Sequence, residues 1–130
     1  MQEHIQLFQE TDLQAATIRC RQFALNAGLT PIATQKLATA VSELTRNVYK
    51  YAQCKGRVDL LLIKTADGDY VQVDVIDHGP GIEDIDQAMA DNYSSSGTLG
   101  LGLPGVRRLV DHFEIQSALG QGTHVSIQMK

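Results

Sequence analysis

The chain of 130 residues, 43% of them hydrophobic, carries 11 Lys plus Arg against 15 Asp plus Glu, a formal net charge of −4. This length suits a single domain, residues 1–130, burying roughly two-thirds of the surface its unfolded form exposes. No basic run exceeds Arg107-Arg108, which argues against nucleic-acid binding because that needs a basic stripe to displace counterions. Cys20 and Cys54 have neither CxxC spacing nor a flanking His pair, so two buried or idle thiols in a reducing cytosol are expected rather than a metal or redox motif. The start, Met1-Gln-Glu-His4, lacks the layout of a signal peptide, and no apolar run approaches the ~18 residues of a membrane span. A soluble, cytoplasmic protein with no membrane role is expected.

A short strand around Ile5 to Phe8 leads to Thr11-Asp12, read as the cap of a helix whose apolar positions are Leu13, Ala16, Cys20, Ala24 and Ala27. Gly28 stops it. Thr30 and Pro31 then supply the cap and first-turn proline of a second helix, with Leu37, Val41, Leu44, Val48 and Tyr51 in alternating steps of four and three. Arg57 to Lys64 and Tyr70 to Asp77 are β-rich runs joined by Ala66-Asp67-Gly68-Asp69, which predicts an antiparallel hairpin. A short helix is expected from Ile82 to Met89, a polar loop over Asp91 to Ser96, and a helix from about Gly102 to Asp111. Strands near Phe113 to Ser117 and Thr123 to Met129 close the domain. In the last, Val125, Ile127 and Met129 alternate with polar residues, as in a sheet with one buried and one wetter face.

Four short signals carry chemistry. On the second helix Glu43 and Asn47, four apart, point side by side on the flank of the apolar stripe. A carboxylate and an amide there can hold a hard cation through oxygen, with water and substrate phosphates completing its shell; the same pair also suits a plain solvated flank. Asp77 continues the row Val71, Val73, Val75 on one strand face. A carboxylate so placed is costly without donors, and the exocyclic amino group of adenine is a donor of the right kind. Gly79 and Gly81 then clear space where a planar ring would approach the backbone. The alternative is an ordinary strand exit with Asp77 capping the next helix.

Gly97 to Gly105 contains a formal GxGxxG match, Gly100-Leu-Gly102-Leu-Pro-Gly105. A dinucleotide fold needs a strand just before those glycines and an acid ~20 residues beyond, and neither is present, nor is the GK[ST] ending of a P-loop. What remains is a glycine loop feeding a helix amino terminus, where free N–H groups can hold phosphate oxygens, or a plain linker. Gly120-Gln-Gly122-Thr123 reads as a hairpin turn whose Thr123 hydroxyl can join a polar cluster with Asp77 through water.

In this order the motifs resemble the GHKL superfamily of ATP-binding domains, and most closely the small RsbT-type serine/threonine kinases of bacterial stress signalling. The likeness runs from about Ile5 to Gln128 and is strongest over Val41 to Asn47, Asp77 to Ile82 and Gly100 to Asp111. It implies an α+β fold of Bergerat type, a two-layer sandwich with a mixed, mostly antiparallel sheet and helices on one face. It further implies ATP and Mg²⁺ as cofactors, Glu43 as catalytic base, Asn47 as magnesium ligand and Asp77 as the adenine-binding acid. Gly79 and Gly81, Gly97, Gly100 and Gly102, and Thr123 would form the three nucleotide boxes. His78 stands where relatives often carry another polar residue, and Arg107 and Arg108 suit phosphate, a partner or a solvated helix face.

A chain of this length has no room for the dimerising segment of a histidine kinase or the transducer of a gyrase. The resemblance therefore implies transfer of the ATP γ-phosphate to a serine or threonine on STAS-domain proteins of a stressosome, followed by binding and activation of a PP2C-type phosphatase. The alternatives are an anti-sigma factor kinase that sequesters a sigma subunit, and a non-catalytic partner-binding module.

Overall fold

Period-two alternation over Val71–Asp77 and Thr123–Met129, together with the apolar stripe at helical spacing over Pro31–Tyr51, gives two layers. The structure is a computed structural model and describes residues 1–52, 55–82, 85–89 and 102–130. The elements are β1 (Gln2–Leu7), α1 (Glu10–Asn26), α2 (Pro31–Tyr51), β2 (Gly56–Thr65), β3 (Gly68–Asp77), α3 (Ile85–Ala88), α4 (Gly102–Leu109), β4 (His112–Ser117) and β5 (Thr123–Met129). They form one five-stranded sheet in the order β1-β2-β3-β5-β4. Every pairing among these strands is antiparallel, so the parallel component of a mixed sheet is absent among the described residues. The expected hairpin is β2–β3, with Thr65 opposite Gly68 across the two-residue turn Ala66-Asp67.

Residues opposite one another in an antiparallel ladder share a face, so the register sorts the sheet into two sides. Ile5 and Leu7, Val58 and Leu60, Val71, Val73 and Val75, and Val125, Ile127 and Met129 face the helices and are buried. They join Cys20 and Phe23 of α1, Leu37, Val41, Leu44 and Val48 of α2, and Val106 of α4 in one apolar cluster. Each such side chain contributes about 1.5–3 kcal/mol by leaving water. The other face carries His4, Asp59, Asp74, Ser126 and Glu114 in a row across all five strands. That side bears this polar row, as the alternation in β5 predicts, together with Leu61, Ile63 and Ile76.

The helix stops and starts follow side-chain hydrogen bonds. Thr30 caps α2 as expected, its Oγ1 accepting from the Ala33 N–H at 3.1 Å. The start of α1 corrects the sequence reading, because the cap residue is Gln9 and not Thr11-Asp12. Asp12 lies in the first turn and reaches back, its Oδ2 accepting from the N–H groups of Phe8 and Gln9 at 2.8 and 3.0 Å. It is the acidic half of a capping box rather than the cap. α4 ends at Leu109, ahead of the expected Asp111. The polar loop over Asp91 to Ser96 and Cys54 lie outside the described residues. No helix among the described residues is long and apolar enough to cross a membrane.

Cys20 is fully buried in the helix–sheet core. Burial pushes its thiol from the ordinary 9.0 up to about 12, the nearby Arg21 charge opposing this only in part. Between those two values the unfolded chain releases this proton while the folded chain keeps it, so the stability it supplies is full below about pH 9 and is lost as pH rises toward 12. The stability advantage of wild type over Cys20→Ala, measured by urea unfolding, should therefore shrink by roughly 1–2 kcal/mol between neutral pH and pH ~10.5. A gap that stays constant with pH would contradict this account.

Candidate functional site

β3 delivers Asp77 to the end of the buried row Val71, Val73, Val75, where it pairs with Gly56 on one side and Thr123 on the other. Its Oδ1 accepts two backbone N–H groups, from Gly79 at 2.9 Å and from Thr123 at 3.2 Å. The chain itself thus supplies part of the donor set that the sequence reading assigned to a ligand. No described residue donates to Oδ2. Thr123 meets Asp77 directly through its N–H, while its hydroxyl lies 2.8 Å from Ser117 Oγ.

The turn after Asp77 is laced to the β4–β5 turn. The Gly120 N–H donates to the Pro80 carbonyl at 2.6 Å, and the Ile82 N–H donates to Ser117 Oγ at 2.7 Å. Gly122 has φ +79°, and a Cβ there would lie 2.2 Å from the Asp77 carbonyl oxygen. Gly81 sits against the Ala118 carbonyl in the same way. These contacts require glycine, so the motif positions near Asp77 are steric requirements of the turn itself.

Glu43 and Asn47 belong to α2, whose far end reaches this turn. A Cβ on Gly79 would lie 2.7 Å from that of Ala52, and one on Gly56 would lie 3.0 Å from Val48 Cγ1. Asn47, one residue before Val48, is half-buried. The Glu43 side chain is only 14% exposed, with its Oε1 3.5 Å from Nη1 of Arg46, which is 53% exposed. Glu43 is therefore not the freely solvated carboxylate of the plain-flank alternative. α4 packs against α2, with Gly102 at its start, at φ +67°, and Pro104 and Val106 buried. Gly97 and Gly100 lie outside the described residues. His78, Arg107 and Arg108 are exposed, and the His78 N–H donates to the Lys55 carbonyl at 3.0 Å.

An open depression of about 420 Å³ adjoins the Asp77 turn. Its wall combines Ile76, Gln116 and His124 of the polar side of the sheet with Asp77, Ser117 and Thr123 of the helix side, so it opens at the sheet end where the two turns meet. Among the described residues no three His, Cys, Asp or Glu side chains come together to hold a metal ion. A cation beside Asn47 would need ligand oxygens from elsewhere, and a polyphosphate provides them.

A family model described as the histidine kinase-like ATPase domain matches residues 8–129. The chain belongs to that family. It is 38% identical over 124 residues to the serine/threonine-protein kinase RsbT of Bacillus subtilis (strain 168), covering 95% of this chain and 92% of the relative. It is 31% identical over 93 residues to the anti-sigma F factor of Thermoanaerobacter sp. (strain X514), covering 68% of this chain and 64% of that protein. The structure containing the RsbU and RsbW domains of a Mycobacterium tuberculosis protein matches it with TM-score 0.71 at 18% identity, over 100% of this chain and 32% of the other. The mycobacterial sensor histidine kinase MprB matches with TM-score 0.57 at 19% identity, over 99% and 97%. The fold is that of this ATPase family, and the relatives set the chain among its serine/threonine kinases and anti-sigma switches.

Ser117 escaped the sequence reading. It is the register partner of Thr123, and counting back across the β4–β5 turn with strand parity is the signal that finds it.

The glycine contacts give a graded expectation. At Gly28, φ is +95° with nothing within 4 Å of an added Cβ, so Gly28→Ala should cost only the ~1–2 kcal/mol of left-handed backbone. Gly122→Ala adds a clash with backbone that cannot swing away, and should cost roughly 3 kcal/mol or more. Urea unfolding of the two variants side by side checks this, and equal costs would show that the Asp77–Gly122 approach can relax.

Proposed function

We propose that residues 1–130 act as one ATP-dependent serine/threonine protein kinase domain of the RsbT type. The observation that carries the reading is Asp77, fixed through one carboxylate oxygen by the Gly79 and Thr123 amides, on a turn that abuts the same helix that bears Glu43 and Asn47. The 38% identity to a named serine/threonine kinase over nearly the whole chain supports it.

Asp77 would accept the adenine amino group through Oδ2, a pure acceptor meeting a donor. Asn47 would present its side-chain oxygen to Mg²⁺, and the ion when bound would offset phosphate charge. Backbone N–H groups at the start of α4, which begins at Gly102 and follows Gly97 and Gly100 in the chain, would hold phosphate oxygens. Glu43 would take the proton of a substrate hydroxyl as its oxygen bonds to the γ-phosphorus and the bond to the bridging oxygen breaks, releasing ADP. The substrate would be a serine or threonine of a STAS-domain partner in a stressosome, with a PP2C-type phosphatase regulator engaged after release and the whole exchange cytoplasmic. The 31% identity to anti-sigma F factors favours, as a second reading, a kinase that also sequesters a sigma subunit.

Saturating Mg-ATP should raise the melting temperature, because a ligand held only by the folded state stabilises it by mass action. Asp77→Asn should abolish most of that rise, since the amide adds donors where the ligand presents one. A wild-type chain with no shift would end the nucleotide reading.

Glu43→Gln should keep nucleotide binding and lower phosphate transfer to a STAS protein by roughly 10²–10⁴-fold. Asn47→Asp should change the magnesium dependence of the rate. Glu43→Gln at the original rate would remove Glu43 from the mechanism. Binding of a STAS protein without transfer by the wild type would leave a partner-binding module, and capture of a sigma factor would favour the second reading.

A further inference from the structure

Ser117 Oγ has three partners: the Ile82 N–H at 2.7 Å, the Gly122 carbonyl at 2.9 Å and Thr123 Oγ1 at 2.8 Å. A hydroxyl offers one proton and two lone pairs. An N–H can only donate and a carbonyl can only accept, so the Ser117 proton goes to Gly122 and one lone pair goes to Ile82. One lone pair remains, and it takes the proton of Thr123. The opposite assignment, with Ser117 donating to Thr123, would leave the carbonyl of the buried Gly122 without this donor, which is costly.

The Thr123 hydroxyl is therefore committed as a donor to Ser117, and what it presents elsewhere is lone pairs only. Thr123 is the register partner of Asp77 on the helix side of the sheet, so their side chains stand next to each other, Cβ atoms about 5 Å apart. Asp77 Oδ1 is filled by two backbone N–H groups, and Oδ2 is a further acceptor. The edge made by this pair thus has acceptors and no side-chain donor. It suits an exocyclic amino group and repels a carbonyl oxygen in the same place.

We infer that Ser117 is a specificity-positioning residue: by holding the Thr123 proton it keeps the Asp77–Thr123 edge acceptor-only and so selects a 6-amino over a 6-oxo purine. The inference rests on the nucleotide reading of the site. Ser117 itself would touch no ligand; it would act through Thr123.

The test compares binding of Mg-ATP and Mg-ITP, which differ at the purine 6-position, by calorimetry on the full chain. Ser117→Ala frees the Thr123 proton to reach a 6-oxo group, so the preference for ATP over ITP should fall roughly tenfold, the equivalent of about 1.4 kcal/mol. Ser117→Thr keeps a hydroxyl and should restore the preference. Thr123→Val removes the hydroxyl at constant shape, and should weaken ATP while leaving ITP unchanged or tighter. In that background Ser117→Ala should no longer move the ratio, which is the coupling a double-mutant cycle measures. If Ser117→Ala weakens both nucleotides equally, or shifts the ratio equally with and without the Thr123 hydroxyl, Ser117 is only a scaffold for the turn and the inference falls. Should Ser117→Ala not fold, Thr123→Val alone decides, because equal loss of ATP and ITP contradicts an acceptor role. Wild type that binds neither nucleotide overturns the nucleotide reading and this inference together, an outcome distinct from binding with an unchanged ratio.

Discussion

The structure depends on a close approach between the end of β3 and the β4–β5 turn, with Gly122 against the Asp77 carbonyl and both Thr123 and Gly79 donating to its carboxylate. A half-buried carboxylate without donors would cost several kcal/mol of lost hydration. Two amides already in place offset much of that cost before any ligand arrives, so the acid is oriented in the free protein. The same approach sets the register of three strand ends, which brings Asp77, Thr123 and Ser117 into one row. Loss of any one contact would loosen the other two, because the N–H of Thr123, the hydroxyl of Ser117 and the carbonyl of Gly122 are parts of one network.

α2 transmits this order to Glu43 and Asn47. One side of the helix is held by Leu37, Val41, Leu44 and Val48 in the core, and the buried Thr45 hydroxyl turns back to the Val41 carbonyl at 2.9 Å. The flank carrying the acid and the amide has no freedom to rotate without opening that core. Displacements near 1 Å are enough to lower rates about a hundredfold in positioned chemistry. The apolar stripe is therefore as much a part of the proposed catalytic geometry as the polar residues are.

Elements dictated by local chemistry were legible in the sequence. Thr30-Pro31 with an unbroken apolar stripe defines α2, and the alternation in β5 gives its buried face. The start of α1 was not, because Asp12 acts backward from the first turn and Thr11-Asp12 in isolation has the composition of a cap. The motif order pointed to Asp77, Gly79, Gly81 and Thr123, which the fold brings together where the turn after β3 meets the β4–β5 turn. The partners of Asp77 Oδ1 and the role of Ser117 depend on register between strands far apart in the chain, and no local pattern encodes them.

The polar face of the sheet makes the character of Asp77 plain by contrast. Asp59 and Asp74 stand directly opposite each other on β2 and β3, each side chain 13% exposed, and like charges so placed repel. Both oxygens of each are nevertheless taken. Asp59 meets His4 at 2.7 Å and Arg57 at 3.2 Å, while Asp74 meets His124 at 3.0 Å and Gln72 at 3.1 Å. Each oxygen of those two carboxylates thus meets a partner of its own chain, and the Arg57 guanidinium and the Gln72 amide offset part of the repulsion. Asp77 is satisfied on one side only, with two donors crowded onto Oδ1 and none from the described residues on Oδ2. On the polar face every carboxylate oxygen of that facing pair meets a partner of its own chain, whereas Asp77 Oδ2 meets no donor among the described residues, which suits the proposed site, where an amino group of the ligand would supply one.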